Sequence, residues 1–158
     1  MSINKPPYIL KPSLLCKEAP KEGTILSGEF PLDKITNLNS ELKKQGLTPI
    51  TYHLQFYNDE HGFQVVKGSM VGDFELTCQR CMQPMRYTLK ADIFVSPVNS
   101  YAEAKQLPER YEPLLMTNSE INFAEWIAEE LHLALPLVPR HDAICVSYDS
   151  FNQDQTGE

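Results

Sequence analysis

Between residues 50 and 95 the chain repeats a period of two. Ile50, Tyr52, Leu54 and Phe56 alternate with Thr51, His53, Gln55 and Tyr57. Successive side chains of a strand point to opposite faces, so this segment predicts a strand with one face buried and one in water. Asn58 to Gly62 reads as a turn. Phe63 to Met70 is a second strand candidate, and Asp73 to Cys78 a third, with Phe74, Leu76 and Cys78 on one face. Beyond a Cys-x-x-Cys turn and Pro84, the residues Tyr87, Leu89, Ala91, Ile93 and Val95 alternate again. Four strands joined by short turns predict an antiparallel meander.

Helical signals flank this block. Over Pro31 to Gln45, Ile35, Leu38 and Leu42 recur at helical spacing, Lys43 and Lys44 suit a last turn, and Gly46 suits a left-handed stop. Upstream, Tyr8 to Leu10 reads as a short strand and Ser13 to Gly28 as an irregular connector. Ser96 to Ser119 is a long polar connection with a helical turn expected at Ser100 to Gln106, and loops of this length often carry function. The second helix has stronger signals. Asn122 and Glu125 form a capping box, and Ile121 and Trp126 occupy the positions of a hydrophobic staple. Phe123, Trp126, Ile127 and Leu131 make its buried face, and Pro136 ends it by about Leu135. The expected fold class is α+β: an antiparallel, strongly curved meander sheet packed by a C-terminal helix and a smaller N-terminal helix. One domain is expected over residues 1–148, with 149–158 as a frayed tail.

Composition narrows the setting. No apolar run reaches the roughly 18 residues that cross a bilayer, and the first residues lack the apolar core of a secretory signal. A cytoplasmic protein without membrane partners is therefore expected. The net charge of −7 is split: residues 1–91 hold 11 Lys/Arg against 9 Asp/Glu, and residues 92–158 hold 3 against 12. The first part can present a local cationic patch. The acidic part suits a basic protein partner, or is simply solvated surface.

Of the four cysteines, Cys16, Cys78, Cys81 and Cys145, the pair Cys78-Gln-Arg-Cys81 is the sharpest local motif. A redox pair needs its first thiol at a helix N-terminus, whereas this pair joins two strands. A zinc site is the better chemical reading: a Cys-x-x-Cys turn supplies half a tetrahedral set, and His141-x-x-x-Cys145 has the spacing to supply the rest. The plainer alternative is two thiols on a turn with no metal and no cofactor required. No catalytic residue is assigned, because neither a nucleophile–base arrangement nor a phosphate-cradling glycine loop is present in the sequence.

For RNA the candidate contacts are Lys67, Arg80, Arg86 and Lys90, with Tyr52, Tyr57 and Tyr87 close by in sequence. Aromatic rings on a sheet can stack unpaired bases; the competing reading makes these tyrosines core residues. For protein contact the candidates are Glu125 and Glu129, on the polar side of the second helix.

Several segments in order resemble one family. They are Leu76-Thr-Cys78-Gln-Arg-Cys81, Phe94-Val-Ser-Pro-Val98, Leu107-Pro-Glu-Arg-Tyr-Glu-Pro113, and Glu129 to Asp142 with Leu-Ala-Leu-Pro136-Leu-Val-Pro139-Arg-His141-Asp142, followed by Cys145. This pattern is similar to the YceD family, the large ribosomal RNA subunit accumulation proteins of bacteria and plastids. The resemblance spans about residues 74 to 146. It implies a non-enzymatic role in synthesis, processing or stability of 23S ribosomal RNA during large-subunit assembly. The expected partners are that RNA or its precursor and a basic large-subunit ribosomal protein, with no small-molecule substrate. Two rival functions are a zinc- or thiol-dependent redox enzyme using the Cys-x-x-Cys turn, and a protein-only adaptor.

Overall fold

A computed structural model describes residues 7–17, 23–35, 37–136 and 138–141. In chain order the elements are β1 (Ile9–Leu10), α1 (Pro12–Lys17), β2 (Thr24–Phe30), a short 3-10 turn (Leu32–Lys34), α2 (Ser40–Gln45), β3 (Ile50–Asn58) and β4 (Gln64–Thr77). They continue with β5 (Pro84–Val98), α3 (Tyr101–Gln106), β6 (Glu112–Leu115), β7 (Ile121–Asn122) and α4 (Phe123–Ala134).

The protein is α+β. Its main sheet has five strands in the order β2-β3-β4-β5-β6. The first four run antiparallel to their neighbours, as a meander requires, and β6 lies parallel to β5. A parallel neighbour needs a crossover connection, and the segment containing α3 supplies it. β1 pairs separately with β7, Leu10 opposite Ile121. Among the described residues no sheet is strongly curled, so the strong curvature expected from the sequence is not found.

The alternation of residues 50–57 holds: Ile50, Tyr52, Leu54 and Phe56 are buried, and their neighbours face water or lie half-buried. The second and third expected strands are one. β4 continues through Gly72, where the sequence suggested a turn, because Val71, Gly72 and Asp73 all stay in the ladder with β5. Glycine is there for closeness: a Cβ at Gly72 would come 2.5 Å from Ile50 Cδ1, and one at Gly68 would come 1.9 Å from the His53 carbonyl oxygen.

Other expectations are corrected. The helix expected over residues 31–45 is split into the 3-10 turn and α2, because the Asn39 side chain caps a new start by accepting from the Glu41 and Leu42 N–H groups. Ile35, Leu38 and Leu42 are buried all the same. Gly46 is extended (φ −68°, ψ 134°) rather than left-handed, and bridges to Phe74. The connector of residues 13–28 contains α1 and most of β2, an edge strand in which only Phe30 is fully buried. The connection of residues 96–119 contains β6 as well as the expected helical turn, which Ser100 caps.

α4 forms as its sequence dictates. Asn122 accepts from the Glu125 N–H at 3.1 Å, and the staple residues Ile121 and Trp126 are both buried. Phe123 meets Phe30 edge-on at 5.5 Å and Tyr52 at 4.9 Å, which fixes the start of α4 on the inner face of the sheet. Phe30, Phe56, Phe74 and Phe123 are fully buried. Each such side chain contributes about 1.5–3 kcal/mol of burial free energy. No helix among the described residues is long and apolar enough to cross a membrane.

Candidate functional site

The connection between β4 and β5 is a tight turn with both its ends fastened. Cys78 N–H donates to the Gln83 carbonyl at 2.9 Å and Met82 N–H to the Cys78 carbonyl at 2.8 Å, with Met82 left-handed (φ 60°). The segment leaving α4 returns to this turn. Gln79 N–H donates to the Pro139 carbonyl at 2.7 Å, and the Arg80 guanidinium donates to the His141 carbonyl at 3.1 Å. The C-terminal exit of the helix is thereby tied to the sheet.

This return places His141 against the two cysteines. Cys78 Sγ, Cys81 Sγ and a ring nitrogen of His141 all lie within 4.8 Å of one another, and Cys81 Sγ is 3.5 Å from His141 Nδ1. Zinc bonds of about 2.3 Å to sulfur and about 2.0 Å to nitrogen, set at the tetrahedral angle, put such ligand atoms about 3.6–3.8 Å apart. Two soft sulfurs and an imidazole nitrogen at this separation fit a zinc ion. The structure therefore brings together three of the four residues that the sequence singles out, across about sixty residues of chain that no spacing rule links. Cys145, the fourth, lies outside the described residues, as do Asp142 and the expected tail.

The turn also favours the thiolate. Burial opposes ionisation of Cys78, but backbone N–H donors of Cys81, His141 and Arg80, with the His141 ring, outweigh it and lower its pKa from 9.0 to about 5. Arg80 N–H lies 3.4 Å from Cys78 Sγ. A thiolate serves as metal ligand and as nucleophile alike. Cys78 is fully buried, which suits ligation, since attack on another molecule needs an accessible sulfur. Cys16 is also buried, and there burial, only partly offset by a single Val65 backbone hydrogen bond, pushes the thiol up to about 11.

The sequence-chosen cations fall on or beside one surface. Lys67 on β4 stands opposite Phe94 on β5, Lys90 opposite Val71, and Arg86 opposite Glu75. All three cations are exposed, on the face of the sheet away from the Phe74 and Leu89 core. Acids are interleaved with them. Arg86 donates to Asp73 at 2.6 Å, and Lys90 lies 3.7 Å from Asp92. The Arg86 hydrogen bond, with one from Thr88, holds the Asp73 carboxyl below its ordinary range despite some desolvation. Tyr52 is 3% exposed and belongs to the core, and Tyr87 packs against it. The sheet therefore does not offer those two rings for stacking.

Glu125 and Glu129 are exposed on α4 and border a cleft of about 340 Å³. The cleft also draws on β1, β6, β7 and the turn between the last two. Sequence reasoning overlooked Glu120, Leu115 and Ile9 there. Asn118 was the available signal, since asparagine tolerates the left-handed conformation that it adopts with Ser119 in that turn (φ 55° and 58°).

Comparison with known proteins agrees with the resemblance. The family described as "Large ribosomal RNA subunit accumulation protein YceD" matches residues 66–156. A protein of that name from Haemophilus influenzae is 42% identical over 91 residues, which is 57% of this chain and 52% of the relative. The chain thus matches about half the length of that curated relative. No solved structure matches.

Proposed function

The chain belongs to the YceD family, and from that premise we propose that it supports the accumulation of large-subunit ribosomal RNA as a non-enzymatic binding factor. The family match carries this reading, and the distribution of charge supports the binding half of it. Lys67, Arg86 and Lys90 occupy the outer face of the sheet, with Arg80 on the turn at its end, whereas Glu125 and Glu129 lie on the helix that covers the inner face. RNA would meet the former and a basic ribosomal protein the latter. Because Asp73 and Asp92 already neutralise part of the outer face, its RNA contact would be modest in strength and sensitive to salt.

The Cys78, Cys81 and His141 cluster would hold a structural zinc, with Cys145 as the fourth ligand. A bound zinc would supply cohesion rather than chemistry: it would lock the exit of α4 to the β4–β5 turn and so fix the helix face relative to the sheet face. The lowered Cys78 pKa is also what a thiol redox enzyme needs, but the burial of that sulfur favours the structural reading.

Crosslinking in cells followed by sequencing of the bound RNA tests the RNA contact. Enrichment of large-subunit precursor over small-subunit RNA is expected. Equal recovery of both would remove the RNA contact and leave the protein-only adaptor.

A further inference from the structure

The cleft between β6, β7 and α4 has a composition that specifies a partner. Its acidic members are Glu120 from the turn and Glu125 and Glu129 from α4, and among the described residues no Lys, Arg or His lines it. Ile9 and Leu115 supply apolar surface beside the carboxylates, 47% and 48% exposed, and the buried Trp126 lies at the floor. Lys11 reaches the rim, 3.7 Å from Glu120, through side chains that are both largely exposed. It leaves the other two carboxylates without an ion pair among the described residues. The acidity extends beyond the cleft. Glu130, on the next position of α4, has its pKa raised first by burial, with a Trp126 hydrogen bond opposing, and further by repulsion from Glu112 and Glu129. Glu112 and Glu130 line a separate cleft, which Lys90 and Asp92 share.

Such a groove rejects a phosphate backbone, because like charges juxtaposed at an interface repel. It equally disfavours a purely apolar segment, which would leave the carboxylates desolvated and unpaired. We propose that this groove binds an extended segment of a basic protein, in which lysines or arginines pair with Glu120, Glu125 and Glu129 while an apolar side chain covers Leu115 and Ile9. The inference rests on the reading of the chain as a binding factor and deepens its protein side by naming the surface and the chemistry of its occupant.

The test uses the full chain and two labelled synthetic peptides of about a dozen residues, one alternating Lys with Leu and one alternating Glu with Leu. Fluorescence anisotropy is expected to show saturable binding of the Lys/Leu peptide and none of the Glu/Leu peptide. Emission of Trp126, the sole tryptophan of the chain, should change in step with binding. The triple substitution Glu120→Gln, Glu125→Gln and Glu129→Gln removes exposed charges without touching the core, and should weaken binding about ten-fold, the sum of three modest ion pairs. Leu115→Lys should weaken it comparably by placing a cation in the groove. Raising salt from about 50 mM to about 500 mM should weaken the wild-type complex and leave the triple variant nearly unaffected. Equal affinity for both peptides, or wild-type affinity in the triple variant, would overturn the assignment. So would an oligouridylate strand whose binding, measured without peptide, is lost in the triple variant, which would make the surface a nucleic-acid site. The peptide assay is independent of ribosomal RNA levels. A failed peptide result beside an intact RNA phenotype therefore removes the groove assignment and leaves the family role standing.

Discussion

Phe123→Ala is expected to cost the protein about 4 kcal/mol of stability, the middle of the range for a fully buried Phe cut to Ala. Phe123 is the first residue of α4 and has no exposed surface. It stands edge-on to Phe30 at 5.5 Å and to Tyr52 at 4.9 Å, so the truncation opens a cavity between helix and sheet and forfeits two aromatic contacts. Each such contact adds about 0.5–1.5 kcal/mol beyond its buried area, which keeps the estimate from falling to the bottom of that range. A domain of this size has about 5–15 kcal/mol in total, so about a quarter or more of its stability would be lost. Phe123→Leu retains most of the volume and should cost about 1.5 kcal/mol. Urea unfolding followed by Trp126 emission and by far-ultraviolet circular dichroism measures both variants. A loss below about 1 kcal/mol for Phe123→Ala would show that α4 is not anchored through this ring and would falsify the packing described.

Three further outcomes follow from the same structure. Gly68→Ala places a Cβ 1.9 Å from the His53 carbonyl oxygen, so β3 and β4 must separate locally; a loss of about 3 kcal/mol is expected, the upper end for overpacking, and an unchanged denaturation midpoint would contradict the strand register. Asp73→Asn should be less stable than wild type at neutral pH. The native pKa of Asp73 is lowered chiefly by Arg86, so its stabilisation is present above the unfolded carboxyl value of about 3.9 and fades as pH falls through the lower native value. The two melting curves should therefore converge in acid, and a constant gap down to about pH 2 would contradict the pairing. Purified protein should carry about one zinc per chain by elemental analysis, and Cys81→Ser or a strong chelator should lower both zinc content and melting temperature. Metal-free protein with the same melting temperature as protein refolded with zinc would reduce the cluster to a hydrogen-bonded clasp.

Much of this arrangement was legible because its signals are local. The alternation of β3 and β5 is written in consecutive residues, and α4 announces itself through Asn122, Glu125 and the staple pair. The family pattern was legible in the segments from Leu76 to His141. What escaped depends on contacts between distant residues or on glycine acting through space. Gly72 resembles a turn in sequence, yet it lies in a continuous strand because Ile50 needs the room. β2 was hidden because an edge strand with Ser27, Gly28 and Glu29 at its centre has little apolar alternation to display. The break before α2 had its signal in Asn39, whose capping role outweighed the helical spacing of Ile35 and Leu38. Among the site residues, Cys78 and Cys81 were readable as a pair. That His141 meets them depends on Gln79 and Arg80 binding the Pro139 and His141 carbonyls, which no periodicity records. The pairing of Arg86 with Asp73 across two strands was equally invisible until the register of β4 and β5 was known.

The central claim is that the chain sustains large-subunit ribosomal RNA, and its most direct test is the ratio of 23S to 16S ribosomal RNA in cells depleted of the protein. The ratio should fall on depletion and be restored by the wild-type chain. An unchanged ratio under complete depletion, with growth conditions and total RNA matched, would contradict the account.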